Sequence, residues 1–127
     1  MFHDVTLLPE ERICIVTFHE GWDTPEGIEA RADDVLRILE ETRDPLYFIM
    51  DLSQVRMTVD GVMQSANRMT RGPNAPFHHP MCRAVALVTS ERIAKMVALG
   101  LQTEAFGHVN VCACNNLAEA LEHARGS

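Results

Sequence analysis

The residues able to do chemistry fall into three groups. His78-His79-Pro80-Met81-Cys82 and the pair Cys112, Cys114 offer the imidazoles and thiols that bind soft metals. Structural zinc sites favour Cys-x(2–4)-Cys on turns. Cys112-Ala113-Cys114 instead lies in an alternating apolar run, which puts both side chains on one strand face about 7 Å apart along the chain. The spacing argues for packing thiols, and no metal ligand is expected. Nucleophilic catalysis needs an activated Ser or Cys beside a base. Ser53 and Ser90 stand in turns after apolar runs, yet neither neighbours a histidine and Gly-x-Ser-x-Gly is absent. Glycine-rich phosphate cradles are absent too. Both serines are read as turn or cap residues, so no catalytic residue and no cofactor is assigned. The third group is His19, Glu20 and Trp22, then Asp51 and Ser53, then Thr89 and Ser90, then Asn115. Each set follows a strand-like run, where open parallel sheets hold ligands. Trp22, the single tryptophan, suits a pocket or interface wall as well as a loop residue folded over a helix start.

The elements that must position these residues are legible from hydrophobic period. Val5-Leu7 and Ile13-Ile15 alternate on either side of Pro9-Glu10-Glu11, predicting an antiparallel hairpin with its first strand at a sheet edge. Asp23 or Thr24 can cap a helix that Pro25 begins, and Asp23 with Glu26 has capping-box spacing. In that helix Ile28, Ala32, Val35, Leu36 and Leu39 form an apolar stripe, while Glu29, Arg31, Asp33, Asp34 and Arg37 are assigned to the solvent face. Leu46-Tyr47-Phe48-Ile49-Met50 is a short continuous apolar run, which suits a central strand covered on both faces. Thr58 then caps a helix bearing Val59, Val62, Met63, Ala66 and Met69.

Residues 71–80 hold three prolines and are expected to be irregular. The strand Arg83–Val88 follows, and Thr89 and Ser90 stand where a helix cap is wanted. The predicted helix Ser90–Phe106 places Ile93, Val97 and Leu101 inward and spreads Met96, Ala98 and Leu99 around the cylinder. The strand Val109–Cys114 and a final helix capped by Asn115 or Asn116 complete the chain. The order β-β-α-β-α-β-α-β-α predicts an α/β fold across residues 1–127: one mixed, mostly parallel five-stranded sheet with an N-terminal antiparallel hairpin.

Composition narrows the function classes. With 127 residues, one core is expected. The 46% hydrophobic and 23% charged content argues against disorder. A formal charge of −7 disfavours nucleic acid and anionic headgroups as partners. Cys14, Cys82, Cys112 and Cys114 all lie in apolar runs, where a thiol packs as a small hydrophobe. With no signal-like opening segment, a reducing, cytoplasmic compartment is expected. The apolar run Ile93–Leu101 falls far short of the about 20 residues of a membrane span.

The element order, the run Met50-Asp51-Leu52-Ser53-Gln54-Val55 after a buried strand, and the ending CRAVALVTSERIAKM…HVNVCACNNLAEAL resemble the SpoIIAA-like superfamily. That group includes the STAS domains (sulfate transporter and anti-sigma-factor antagonist). The resemblance covers nearly the whole chain. It implies a SpoIIAA-like fold and a non-catalytic regulatory or protein-interaction module that acts as a homodimer or on a protein partner. Regulatory STAS proteins carry a phosphorylatable serine after this turn; here the region reads Met57-Thr58-Val59-Asp60-Gly61, so the serine is missing and Thr58 is the nearest hydroxyl. An apolar small-molecule or lipid carrier is the alternative reading, and an unrecognised enzyme a more distant one. Methionine-rich faces adapt to partners and flexible apolar ligands. Met96 and Leu99, with Met63 nearby, are therefore the expected self-association surface or pocket border, beside Trp22, Asp51, Ser53, Thr58 and Ser90 as binding candidates.

Overall fold

The computed structural model describes residues 2–126. Strands β1 (His3–Leu8) and β2 (Ile13–Phe18) form an antiparallel hairpin, and β3 (Leu46–Asp51), β4 (Cys82–Val88) and β5 (Val111–Cys114) add in parallel. The sheet order is β1-β2-β3-β4-β5, so β3 is central, as its uninterrupted apolar run predicts. Helices α1 (Pro25–Glu41), α2 (Val59–Thr70) and α3 (Ile93–Leu101) are the crossovers, and α4 (Leu117–Arg125) ends the chain. Successive right-handed crossovers between neighbouring parallel strands must place their helices on one side of the sheet.

Packing follows that rule. Cys14, Val16, Phe18, Phe48, Met50, Val85 and Leu87 face Ala32, Val35 and Leu39 of α1, Val62, Ala66 and Met69 of α2, and Ala98 and Leu101 of α3. The alternate strand positions, Ile13, Ile15, Tyr47, Ile49, Ala84, Ala86, Val88 and Cys114, face Ala120 and Ala124 of α4. This period of two is why continuous apolar runs, and not alternating ones, occupy the central strands.

The structure decides between the open alternatives for the helix caps and corrects other local expectations. Thr24, not Asp23, caps α1, because its hydroxyl accepts from Gly27 N at 3.0 Å. The proline-rich stretch contains one turn of 3-10 helix, Pro76–His78, where proline fits the first position. Ser90 does not cap α3: Thr89 Oγ1 accepts from Glu91 N at 3.1 Å, the helix begins only at Ile93, and it ends at Leu101 ahead of a separate 3-10 turn, Glu104–Phe106. The buried stripe of α3 is Ala94, Ala98 and Leu101, with Ile93 and Val97 half-buried on its flank. Asn116 caps α4 by accepting from Glu119 N at 2.8 Å. Among the described residues no helix is long and apolar enough to cross a membrane.

Candidate functional site

At the carboxyl ends of β2, β3 and β4 the three crossover helices do not close completely. A partly open cavity of about 50 Å³ remains between the sheet and α1, α2 and α3. Phe18, Met50, Leu52 and Leu87 supply its floor, and Val62, Ala66 and Met69 of α2 face Val97 and Leu101 of α3 across it. Met57 and Phe77, half-buried, stand with them, and Trp22 and Arg31 complete the wall on the α1 side.

Local sequence explains how Trp22 gets there. The loop after β2 turns at Gly21, whose φ of +86° favours glycine. The loop is clasped by two helix starts, since a Cβ on Gly27 would collide with Gly21 O and one on Gly61 with Asp23 Cβ. A Cβ on Gly61 would also lie 3.2 Å from the Trp22 ring. Backbone therefore approaches backbone at Gly27 and side chains approach backbone at Gly61, and the indole is pressed inward until only 3% of Trp22 is exposed. Its ring lies 5.6 Å from that of Phe18, tilted at 54°.

Arg31 contradicts its expected place on the solvent face: it is 1% exposed. Its guanidinium carbon sits 4.3 Å from the Phe18 ring centroid, Nη1 donates to Trp22 O at 3.0 Å, and Nη2 donates to Ser65 Oγ at 2.8 Å. The side chain thus ties α1 to α2 and to the tryptophan loop. Burial pushes its pKa down to about 10, against a smaller opposing pull from the Asp23 charge. Among the described residues no carboxylate lies within ion-pair distance of it. A buried cation without a counter-ion is costly, and stacking on an aromatic face offsets part of that cost.

The expected binding residues separate in space. Only Trp22 lines the cavity. Asp51, buried at the end of β3, accepts from Ser53 N at 3.0 Å and from Ser53 Oγ at 2.6 Å, so the pair is a closed turn device. Thr58 caps α2 by accepting from Gly61 N at 3.2 Å, and donates to Asp23 Oδ2 at 3.0 Å. Ser90 is exposed on the turn before α3. Met96 and Leu99 are 72% and 65% exposed, on the side of α3 opposite its buried stripe.

Sequence reading missed Arg31, Ser65 and Glu91. Glu91 accepts from Met57 N at 2.9 Å and holds the turn after β3 to the start of α3. A signal for Arg31 existed: it lies three residues after Ile28 and four before Val35, on the apolar stripe itself.

A second polar cluster lies under α4. Tyr47 Oη is 3.1 Å from His123 Nδ1 and 3.5 Å from Cys112 Sγ. Cys112 is half-buried there, not enclosed in the core as its apolar run suggests, whereas Cys14 and Cys114 are buried. Among the described residues no group of three or more His, Cys, Asp or Glu side chains is arranged to hold a metal ion. No family model, curated protein or solved structure matches the chain.

Proposed function

We propose that the protein is a non-catalytic binding module whose ligand is a small apolar molecule, or the end of an aliphatic chain, held between α1, α2 and α3. The observation that supports this most is the cavity itself: apolar side chains line it at the carboxyl ends of parallel strands, with the buried Arg31, which has no carboxylate within ion-pair distance among the described residues, in its wall. An engineered apolar cavity of about 150 Å³ takes benzene, so about 50 Å³ takes only a few heavy atoms at rest. Met50, Met57 and Met69 line it, and unbranched thioether side chains change rotamer readily to admit more. Arg31 makes an anionic head group the preferred one, because a carboxylate would supply its missing counter-ion. Four free cysteines suit a reducing compartment such as the cytoplasm.

Trp22 is the sole tryptophan and stands in the cavity wall, so its emission reports occupancy directly. Titration with a medium-chain alkyl carboxylate is expected to give a saturable change, and the alcohol of equal chain length a weaker one by about tenfold or more. Arg31→Met should erase that preference while keeping the alcohol's affinity. No saturable change with either compound, together with no ligand retained in native mass spectrometry, sinks the proposal.

Protein contact is the second reading, in keeping with the STAS-like resemblance. It is favoured by Val59 and Met63 on α2 and Met96 and Leu99 on α3, all large apolar side chains left exposed. A homodimer or a protein partner would cover them.

A further inference from the structure

The cluster under α4 has no role in the cavity, since the sheet lies between them. Cys112 and Cys114 share one face of β5, and their sulfurs lean together to 3.9 Å. Cys112 opens onto a pocket of about 280 Å³, shared with Tyr47, Arg83, Asn110 and His123. Cys114 is buried beneath α4, 3% exposed. We propose that Cys112 and Cys114 form a redox-active dithiol, in which Cys112 is the thiol attacked by a hydroperoxide and Cys114 the one that resolves it to a disulfide.

Placement assigns the two roles. His123 Nδ1, as a donor, reaches Tyr47 Oη at 3.1 Å, which leaves the phenol proton for Cys112 Sγ at 3.5 Å. His123 Nδ1 is itself 3.9 Å from Cys112 Sγ. Both groups are therefore placed beside the accessible sulfur, where they can donate to it in the attack, and the thiolate is the reactive form. Burial pushes the phenol pKa of Tyr47 up, so it stays a proton donor. Burial, chiefly, with the neighbouring Cys112, also pushes the Cys114 thiol up to about 12. Cys14 and Cys82 are held up to about 12 by burial alone, and among the described residues neither has such a relay.

The chemistry balances in two steps. The Cys112 thiolate attacks the distal oxygen of the hydroperoxide, the O–O bond breaks, and a proton is taken up as the alcohol or water leaves. Cys112 is then a sulfenic acid. The Cys114 sulfur attacks Cys112 Sγ, its thiol proton departs with the hydroxyl as water, and the S–S bond forms. The dithiol loses a pair of electrons and the hydroperoxide gains them.

Residues two apart on a strand have Cα atoms about 6.6 Å apart, at the upper end of the about 4.4–6.8 Å span that disulfides bridge. Closure therefore needs a small bend of the backbone. β5 is a four-residue strand at the sheet edge, bonded on one side to β4 only, so it can bend without breaking a second ladder. A bond formed near the geometric limit is more easily reduced, as a reversible switch requires.

The test exposes the native, reduced protein to stoichiometric hydrogen peroxide and maps its thiols by alkylation and peptide mass spectrometry. The expected product has lost a pair of hydrogens, all within the segment carrying Cys112 and Cys114, and a thiol reductant restores it. Cys114→Ser should stop at a sulfenic acid on Cys112 that a dimedone probe captures, and Cys112→Ser should leave Cys114 reduced. His123→Ala should slow the reaction by about tenfold or more. It should also move the midpoint potential in a glutathione buffer to a more negative value, since the reduced form loses its stabilisation. A purely structural role for His123 would leave the potential unmoved. Oxidation first at Cys14 or Cys82, or four thiols surviving peroxide in the folded protein, overturns the proposal.

Discussion

On the face covered by α1, α2 and α3 the strands present Phe18, Phe48, Met50 and Leu87, while under α4 they present Ile49, Ala84, Ala86 and Val88. Large side chains meeting three helices must interlock in three directions at once, and where they fall short an apolar cavity is left. Alanines on both sides let the nine-residue α4 lie close to the sheet, at Ala120 and Ala124. Among the described residues the large polar group it covers there is Tyr47, whose hydroxyl needs a partner and finds His123. One sheet thus keeps an apolar cavity on one side and a hydrogen-bonded thiol cluster on the other.

Neighbouring residues of β3 break this contrast most severely. Phe48 and Ile49 are both fully buried and point to opposite faces. Phe48→Ala is expected to cost about 3–5 kcal/mol and Ile49→Ala about 2–5 kcal/mol in urea unfolding. The discriminating measurement adds benzene. The space vacated by Phe48 joins the three-helix core that already holds a cavity, so benzene should raise the midpoint of Phe48→Ala and leave Ile49→Ala unchanged. Equal rescue of both would mean that the faces are packed alike.

Gly61 sharpens the contrast next. Alanine in a helix interior ordinarily gains about 1 kcal/mol over glycine. At Gly61 the new Cβ meets Asp23 and the Trp22 ring, so Gly61→Ala should instead cost about 1–3 kcal/mol and shift the Trp22 emission to the red. Gly100→Ala is the control, because a Cβ there meets nothing within 4 Å, and it should be stabilising. If Gly61→Ala also stabilises, the tryptophan loop is not clasped as described.

How much of this could be read from the chain depends on what each feature needs. The element order and the hairpin follow from local hydrophobic period, which is a property of short segments. The cap at Thr58 is equally local. The cavity is not, because it depends on how the flanks of α1, α2 and α3 fail to meet. The charge of Arg31 points to the solvent face, while its position three residues after Ile28 puts it on the buried one. The thiol cluster escaped notice because Tyr47, Cys112 and His123 are far apart in sequence and meet only when α4 folds back over β3. Alternation in the run places Cys112 and Cys114 on one strand face, but strand spacing describes backbone separation and not the 3.9 Å to which the sulfurs lean.

A smaller effect belongs to Thr58, which serves as the cap of α2 and as a donor to Asp23. Thr58→Ala should cost about 1 kcal/mol, the usual worth of an N-cap. Thr58→Ser keeps the oxygen and should cost a few tenths, roughly. A much larger loss would mean that the link to Asp23 holds the tryptophan loop in place, making Thr58 part of the cavity wall's support.

The smallest expected effect separates the two functional readings. Met96 and Leu99 contribute little to the core, so Met96→Ser with Leu99→Ser should change stability by less than about 0.5 kcal/mol per site. If the protein works through its cavity, the same double variant binds an alkyl carboxylate with unchanged affinity, because neither residue lines that space. If it works through contact between copies, burying those side chains drives assembly, and the variant should be monomeric in light scattering where the parent is not. A parent that is monomeric at all concentrations and binds ligand normally removes self-association from the exposed face of α3. A dimeric parent that the variant dissociates, with no ligand effect in either, moves the function out of the cavity and onto that helix.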